Sequence, residues 1–344
     1  AELRKKLRAL LEKHGEMQVK LVKDDERSTY AMYADYAELI PEIKNHRILA
    51  INRGEKEECL KVKIFFEPSI AKRVCVAKFI KNKNETQCAK LIEEAAEDGY
   101  DRLIEPSIER EVRAILTDRA SEQAIKMFEV NLRPLLLQPP VKGKVTLGLD
   151  PGYRTGCKVA VVDETGKVLD TGVIFPVPPK PDIEGSKKII KDLIEKHNVD
   201  IISIGNGTAS KETEIFVADL LKEVDRNVSY AVVNEAGASV YSASPLAVEE
   251  FPDLDLTKRS AISIARRLQD PLAELIKIDP KSIGVGQYQH DMDKKRLDGV
   301  LGGVLEDCVN SVGVDLNTAS VSLLKYVAGL NAGIAKNIVL YREE

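Results

Sequence analysis

Residues 145–163, VTLGLDPGYRTGCKVAVVD, constrain the fold more than any other stretch of the chain. Val145, Leu147 and Leu149 alternate with small or polar positions, the period of a strand with one buried face. Pro151 and Gly152 form a turn, Gly156 lets the backbone re-enter, and Lys158 to Val162 reads as a second strand. Asp150 falls where the first strand gives out, so its carboxylate is aimed and not merely solvated. Metal-assisted phosphodiester cleavage and phosphoryl transfer both want that arrangement. The structural alternative is that Asp150 only steadies its own turn.

The chain's 344 residues leave room for two or three domains, and 44% hydrophobic with 31% charged residues describes a globular protein. No apolar run reaches the ~18 residues of a membrane span, and none of the implied partners is a membrane. The start, AELRKKLRALLEKHG, reads as a charged amphipathic helix and not as a signal peptide. It has no initiator Met, and the closing YREE lies inside a helical pattern, which together point to a piece of a longer protein. Cys59, Cys75, Cys88, Cys157 and Cys308 are scattered, form no C-x-x-C pair and suit a reducing, cytoplasmic setting. His290, near Asp291 and Asp293, reads as part of a solvated polar loop. The net charge is −4 and no section is basic, which argues against strong nonspecific binding of nucleic acid by the whole surface.

The expected organisation is multidomain α/β. Residues 1–138 form a mainly helical region, with a helix at Leu3–His14, a polar stretch rich in tyrosine, a helix ending near Gly54, a strand in LKVKIFF and one or two helices from Asp101 to Leu136. The linker QPPVKGK follows. Residues 143–278 read as a three-stranded antiparallel meander followed by helix, strand, helix, strand, helix, with Thr208 or Ser210 capping the helix after GNGTAS. Residues 279–344 read as a long helix, Met292–Val312, then a helical hairpin whose first helix Asn317 or Thr318 caps.

Three carboxylates of the middle section carry the candidate chemistry. Asp150 ends the first strand, Glu235 ends the strand SYAVVN, and Asp270 lies in SIARRLQDPLAELIKI, beside a helix. Brought together, they would hold two divalent cations, one activating water and one stabilising the leaving oxygen. Each has a structural alternative: Glu235 favours a helix dipole, and Asp270 before Pro271 fits an N-cap. GNGTAS offers a weak phosphate cradle without the lysine of a Walker motif. VAGLNAGIAKN is better evidence. Gly329 and Gly333 flank a bend around Leu330 and Asn331, amides at the second helix start face outward, and Lys336 stands one turn on.

These residues together resemble the Tex family of bacterial transcription accessory proteins. GLDPGYRTG, IGNGTASKETE, NEAGASVYSAS, RRLQDPLAELIKIDPKSIGVGQYQHD, VGVDLNTAS and HRILAINRGEKE carry the resemblance across nearly the whole chain. It implies a helical N-terminal region, a YqgF-type domain with the ribonuclease H-like fold, and a helix-hairpin-helix module. A C-terminal OB-fold RNA-binding domain of the family lies outside this sequence. YqgF domains are similar to Holliday-junction resolvases of the RuvC type, and Asp150, Glu235 and Asp270 match the positions of those nucleases' carboxylates. The resemblance implies a binding or scaffold domain rather than an established nuclease. Asn331 departs from the hairpin's usual second glycine.

The leading expectation is a nucleic-acid-binding transcription accessory factor that meets RNA or DNA and the transcription machinery. That role requires no cofactor. The alternative is a RuvC-like nuclease using Mg2+ or Mn2+. An actin-like kinase fits poorly, because it needs two ribonuclease H-like halves.

Overall fold

The structure, a computed structural model, describes residues 2–22, 29–80, 86–179, 181–316 and 319–343. The chain falls into two units, residues 1–126 with 288–294, and residues 127–287 with 295–344.

In the first unit, helix α1 (Glu2–His14) leads into strand β1 (Glu16–Leu21), strand β2 (Asp35–Leu39), helix α2 (Asn45–Lys56) and strand β3 (Leu60–Phe65). Helices α3 (Pro68–Phe79) and α4 (Gln87–Gly99) follow, then a π-helical turn at Tyr100–Ile104 and the long α5 (Glu105–Leu136), which belongs to this unit as far as Lys126. The strands form an antiparallel sheet in the order β2-β1-β3. Strands β1 and β2 occupy part of the polar, tyrosine-rich stretch. Met17 and Val19 alternate inward and are fully buried, which is the period-2 signal of a strand. Gly54 does not end its helix. It lies inside α2, where Leu60 and Tyr30 fill the space a Cβ would take, so the glycine lets β3 approach. Asp291 is not freely solvated, since Arg53 Nε donates to it at 2.8 Å.

In the second unit, strands β4 (Thr146–Asp150), β5 (Cys157–Val162) and β6 (Val168–Ile174) form the meander. Helix α6 (Ile183–His197), strand β7 (Ile201–Gly205), helix α7 (Ser210–Leu221) and strand β8 (Ser229–Val233) follow. Short helices α8 (Ala238–Ser242) and α9 (Pro245–Glu250) lead into α10 (Leu256–Gln269) and α11 (Pro271–Leu275). The last elements are α12 (Lys294–Val312), α13 (Val321–Leu324) and α14 (Ala332–Glu343).

The sheet order is β6-β5-β4-β7-β8, with β7 and β8 parallel to β4. This is the mixed five-stranded sheet expected of a ribonuclease H-like domain. Because β4, β7 and β8 run the same way, their carboxyl ends meet at one edge of the sheet, where ligands of α/β sheets bind. Leu147, Leu149 and Ile202 pack with Ile190 and Ile194 of α6 and Val217 and Leu220 of α7. Ala160 and Val162 pack with Ala261, Ile262 and Ala265 of α10.

Candidate functional site

The carboxyl edge of the sheet holds two of the three expected carboxylates. Asp150 closes β4 opposite Lys158 of β5 in the antiparallel register. Burial pushes its carboxyl up from the ordinary aspartate range, against a hydrogen bond from Ser260 of α10 and the charge of Lys158. The Lys158 ammonium is itself tied down, donating to the carbonyl of Gly156 at 2.9 Å and to the Thr155 hydroxyl. Glu235 follows β8. Burial first, and then the nearby Asp150 charge, raise its carboxyl, while a Gly207 N–H hydrogen bond and Arg267 oppose the shift. Its Oε2 is buried without a hydrogen-bond partner among the described residues.

The turn between β7 and α7 explains how Glu235 fits. A Cβ on Gly207 would collide with Glu235 Oε1, and one on Gly205 with Oε2. Asn206 Oδ1 accepts from the Glu235 N–H at 3.0 Å, and the Asn206 N–H donates to Val233 O at 3.0 Å. The turn that offers only a weak phosphate cradle therefore holds the protein's own carboxylate. Neither Thr208 nor Ser210 caps α7. Ala209 holds that position with φ 64° and gives no side-chain hydrogen bond.

Asp270 does not join the pair. Its Oδ1 accepts from the Ala273 N–H at 3.0 Å, capping α11, with Pro271 in the first helical position. Its neighbour Gln269 donates to Lys144 O at 2.8 Å and Asp163 O at 2.7 Å, just before β4 and just after β5. Helix α10 thus runs antiparallel to β4, with Ser260 at the Asp150 edge. Ten residues of helix put Asp270 about 15 Å further along. Among the described residues, no group of three or more His, Cys, Asp or Glu is placed to hold a metal ion. Ser260 stands on α10 at the edge where a third carboxylate would be needed, and the Lys158 cation faces Asp150. This donor set does not fit a two-metal centre.

Arg267 is a positioning residue that the sequence does not single out, because nothing in its pattern tells its face from that of Arg266. It is only 3% exposed, and Nη1 donates to Asn234 O and Ala236 O, both at 2.8 Å, on either side of Glu235.

Two raised carboxyls have a consequence for stability. The folded state holds these protons to higher pH than the unfolded chain does. Their contribution favours folding below the ordinary carboxylate range and is lost as pH rises through the folded values. At neutral pH the charged pair is a net cost. Asp150→Asn keeps an acceptor for Ser260 and removes the repulsion, so its unfolding midpoint should exceed the parent's at pH 7, with the gain vanishing near pH 3. Thermal melts across that range test this, and a variant less stable at pH 7 contradicts it.

The second candidate site is the bend between α13 and α14. Gly329 sits at φ 85°, the left-handed region, and the Leu330 N–H donates to Val327 O at 3.0 Å. Asn331 does not stand in for a left-handed glycine. Its Oδ1 accepts from the Ile334 N–H at 2.9 Å and caps α14. One donor expected to be free is therefore satisfied. The N–H groups of Gly329, Asn331, Ala332 and Gly333 find no acceptor among the described residues. Gly329, Asn331, Gly333 and Lys336 are all exposed, Leu330 is half-buried, and Lys336 makes no ion pair among the described residues. The Asn317 and Thr318 caps lie outside the described residues, and Ser320 caps α13 by accepting from the Leu323 N–H at 3.3 Å.

Comparison with known proteins matches three stretches of the chain. Residues 1–128 match the family described as Tex central region-like, residues 144–269 the Tex protein YqgF-like domain, and residues 309–344 a helix-hairpin-helix motif. The uncharacterized protein YdcI of Bacillus subtilis is 55% identical over 320 residues, covering 93% of this chain and 44% of its own length. The transcriptional accessory protein Tex of Neisseria gonorrhoeae is 44% identical over 351 residues, 100% of this chain and 46% of its own length. The human S1 RNA-binding domain-containing protein 1 is 43% identical over 334 residues, 94% of this chain and 33% of its own length. The chain thus spans less than half the length of these relatives.

Proposed function

The chain belongs to the Tex family, and from that footing we propose that it acts as a nucleic-acid-binding transcription accessory factor. The ribonuclease H-like domain serves in this reading as a scaffold or binding domain. The observation that carries the proposal is the exposed bend at Gly329–Gly333, with several unclaimed backbone donors and Lys336 beside them. Amides at a helix start suit a phosphate oxygen, and they read no base, so the contact is independent of sequence. The names of the gonococcal and human relatives, a transcriptional accessory protein and an S1 RNA-binding domain-containing protein, favour the same class of partner. The transcription machinery is the protein partner this reading implies. The nuclease alternative loses its third carboxylate to the cap of α11 and is not advanced.

Titration of labelled duplex and single-stranded DNA and RNA against the chain, at several salt concentrations, tests the proposal. Binding through neutral amides and one ammonium gives a shallow slope of log K against log salt, near −1. Lys336→Ala should reduce that slope by about 1. No binding to any of these nucleic acids at low salt would refute the proposal.

A further inference from the structure

We propose that Asn310 is the positioning residue of the bend, holding the backbone donors of Gly329–Gly333 in the arrangement that meets a phosphate. The inference rests on the nucleic-acid reading above and deepens it. Asn310 lies in the last turn of α12, outside the bend in sequence. Its Nδ2 donates to Tyr326 O at 3.0 Å and to Glu306 O at 2.7 Å, and its Oδ1 accepts from the Ala328 N–H at 2.9 Å. One carboxamide therefore grips the chain on both sides of Val327, immediately before Gly329.

The bend needs such a grip. Helix α13 is only four residues long, and beyond it the local backbone bonds before α14 are Lys325 N–H to Val321 O, Tyr326 N–H to Leu323 O, Val327 N–H to Leu324 O and Leu330 N–H to Val327 O. Tyr326 O and the Ala328 N–H lie outside that set, and Asn310 takes both. Helix α12 is a firm anchor, because Leu301, Val304, Leu305, Cys308 and Val309 are buried. Asn310 thus ties an exposed bend to a helix fixed by its apolar face. A serine or threonine hydroxyl also donates and accepts, but through one atom; an amide presents its donor and its acceptor on separate atoms, which lets it reach Tyr326 O and the Ala328 N–H together. Aspartate keeps the acceptor, loses the donors and sets a negative charge against two carbonyl oxygens. Alanine loses everything.

The link to binding is preorganisation. Donors held in place cost no further ordering when the ligand arrives, whereas a loose bend must be ordered at that moment. Lys336 lies beyond the grip on α14, so its ionic contribution survives the change.

The test measures binding of a labelled DNA duplex to the parent chain, Asn310→Ala, Asn310→Asp and Ser311→Ala, with amide hydrogen exchange on each. Ser311 is the structural control. Its hydroxyl donates to Cys308 O at 2.9 Å within the same helix and does not reach the bend. Asn310→Ala should weaken binding about tenfold at fixed salt. Asn310→Asp should weaken it at least as much, and Ser311→Ala should stay within about twofold. The salt slope of Asn310→Ala should match the parent's, and exchange at the hydrogen-bonded amides of Ala328 and Leu330 should accelerate without a larger drop in unfolding midpoint than Ser311→Ala shows. Binding by Asn310→Ala as tight as the parent's overturns the assignment. A parent chain that binds no nucleic acid overturns the functional reading instead, and the exchange experiment still reports on the grip.

Discussion

Gly148→Ala should cost the second unit about 3 kcal/mol in chemical denaturation. Gly148 lies in β4, the middle strand of the sheet, between Ala160 of β5 and Ser203 of β7 in the register. Helix α10 crosses directly over it. A Cβ placed there would strike the carbonyl oxygen of Ala261, lie 2.8 Å from Ala265 Cβ and 2.9 Å from Ala265 N. Two of those three atoms are backbone, so no side-chain rotation relieves the overlap. The helix must lift from the sheet, and it cannot lift locally. Ser203 Oγ donates to Ile264 O at 3.1 Å, and Ala261, Ile262, Ile264 and Ala265 are all fully buried. Displacing α10 also moves Ser260 away from Asp150 and Arg267 away from the carbonyls that bracket Glu235. The variant should therefore lose the raised carboxyl behaviour of the edge together with its stability. A loss under about 1 kcal/mol would mean that the helix slides freely over the sheet.

That seam also shows where sequence reading runs out. The alternation of Val145, Leu147 and Leu149 reveals the strand and its end at Asp150, because period and turn chemistry are local. Gly148 passes for an unremarkable polar-face position, since the helix that demands it lies more than a hundred residues away. The three carboxylates divide for the same reason. Each lies at the end of an element, and that much is legible. Which edge of the sheet each end occupies depends on the direction of α10 against β4, which the Gln269 hydrogen bonds to Lys144 O and Asp163 O and the Ser260 bond to Asp150 fix. Local capping chemistry is the better guide at Asp270, where the Asp-Pro pair announces the cap that the structure contains.

The glycines of GNGTAS carry a similar lesson. A glycine turn between strand and helix fits a phosphate and fits a buried carboxylate equally well, because both are anions that accept from backbone amides. The choice was made by Glu235, thirty residues away. At the bend after α13, by contrast, the glycine at 329 and the exposed donors follow from local spacing, Asn331 spends its side chain on a local cap, and only the grip by Asn310 comes from another element.

The second large effect is expected at Lys277, which follows α11 and joins the short helices of the second unit. Its ammonium lies 3.0 Å from Glu250 Oε1 of α9 and 3.0 Å from Glu274 Oε2 of α11, with its side chain 7% exposed. Glu250 also accepts from the Tyr241 hydroxyl of α8 at 2.6 Å and from Arg266 of α10 at 3.1 Å. Burial alone would raise the Glu250 carboxyl, but Lys277, Tyr241 and Arg266 together hold it below the ordinary range. Lys277→Met keeps the stem's volume and removes the charge. Glu274, whose Oε1 already has no partner, would then be buried without the ammonium that faces Oε2. Removing one member of a buried ion pair costs about 3–5 kcal/mol, because the other charge is left uncompensated. The pH dependence fixes the cause. In the parent, the depressed Glu250 carboxyl contributes stability that is present above the ordinary carboxylate range and is lost as pH falls through its folded value. In Lys277→Met the Glu250 carboxyl lacks that ammonium, so the parent's advantage fades as Glu250 is protonated on acidification and the two stability curves should converge toward acid pH. Adding Glu274→Gln to Lys277→Met should restore part of the loss at pH 7. Parallel curves from pH 7 down to pH 4 would assign the loss to packing and not to charge.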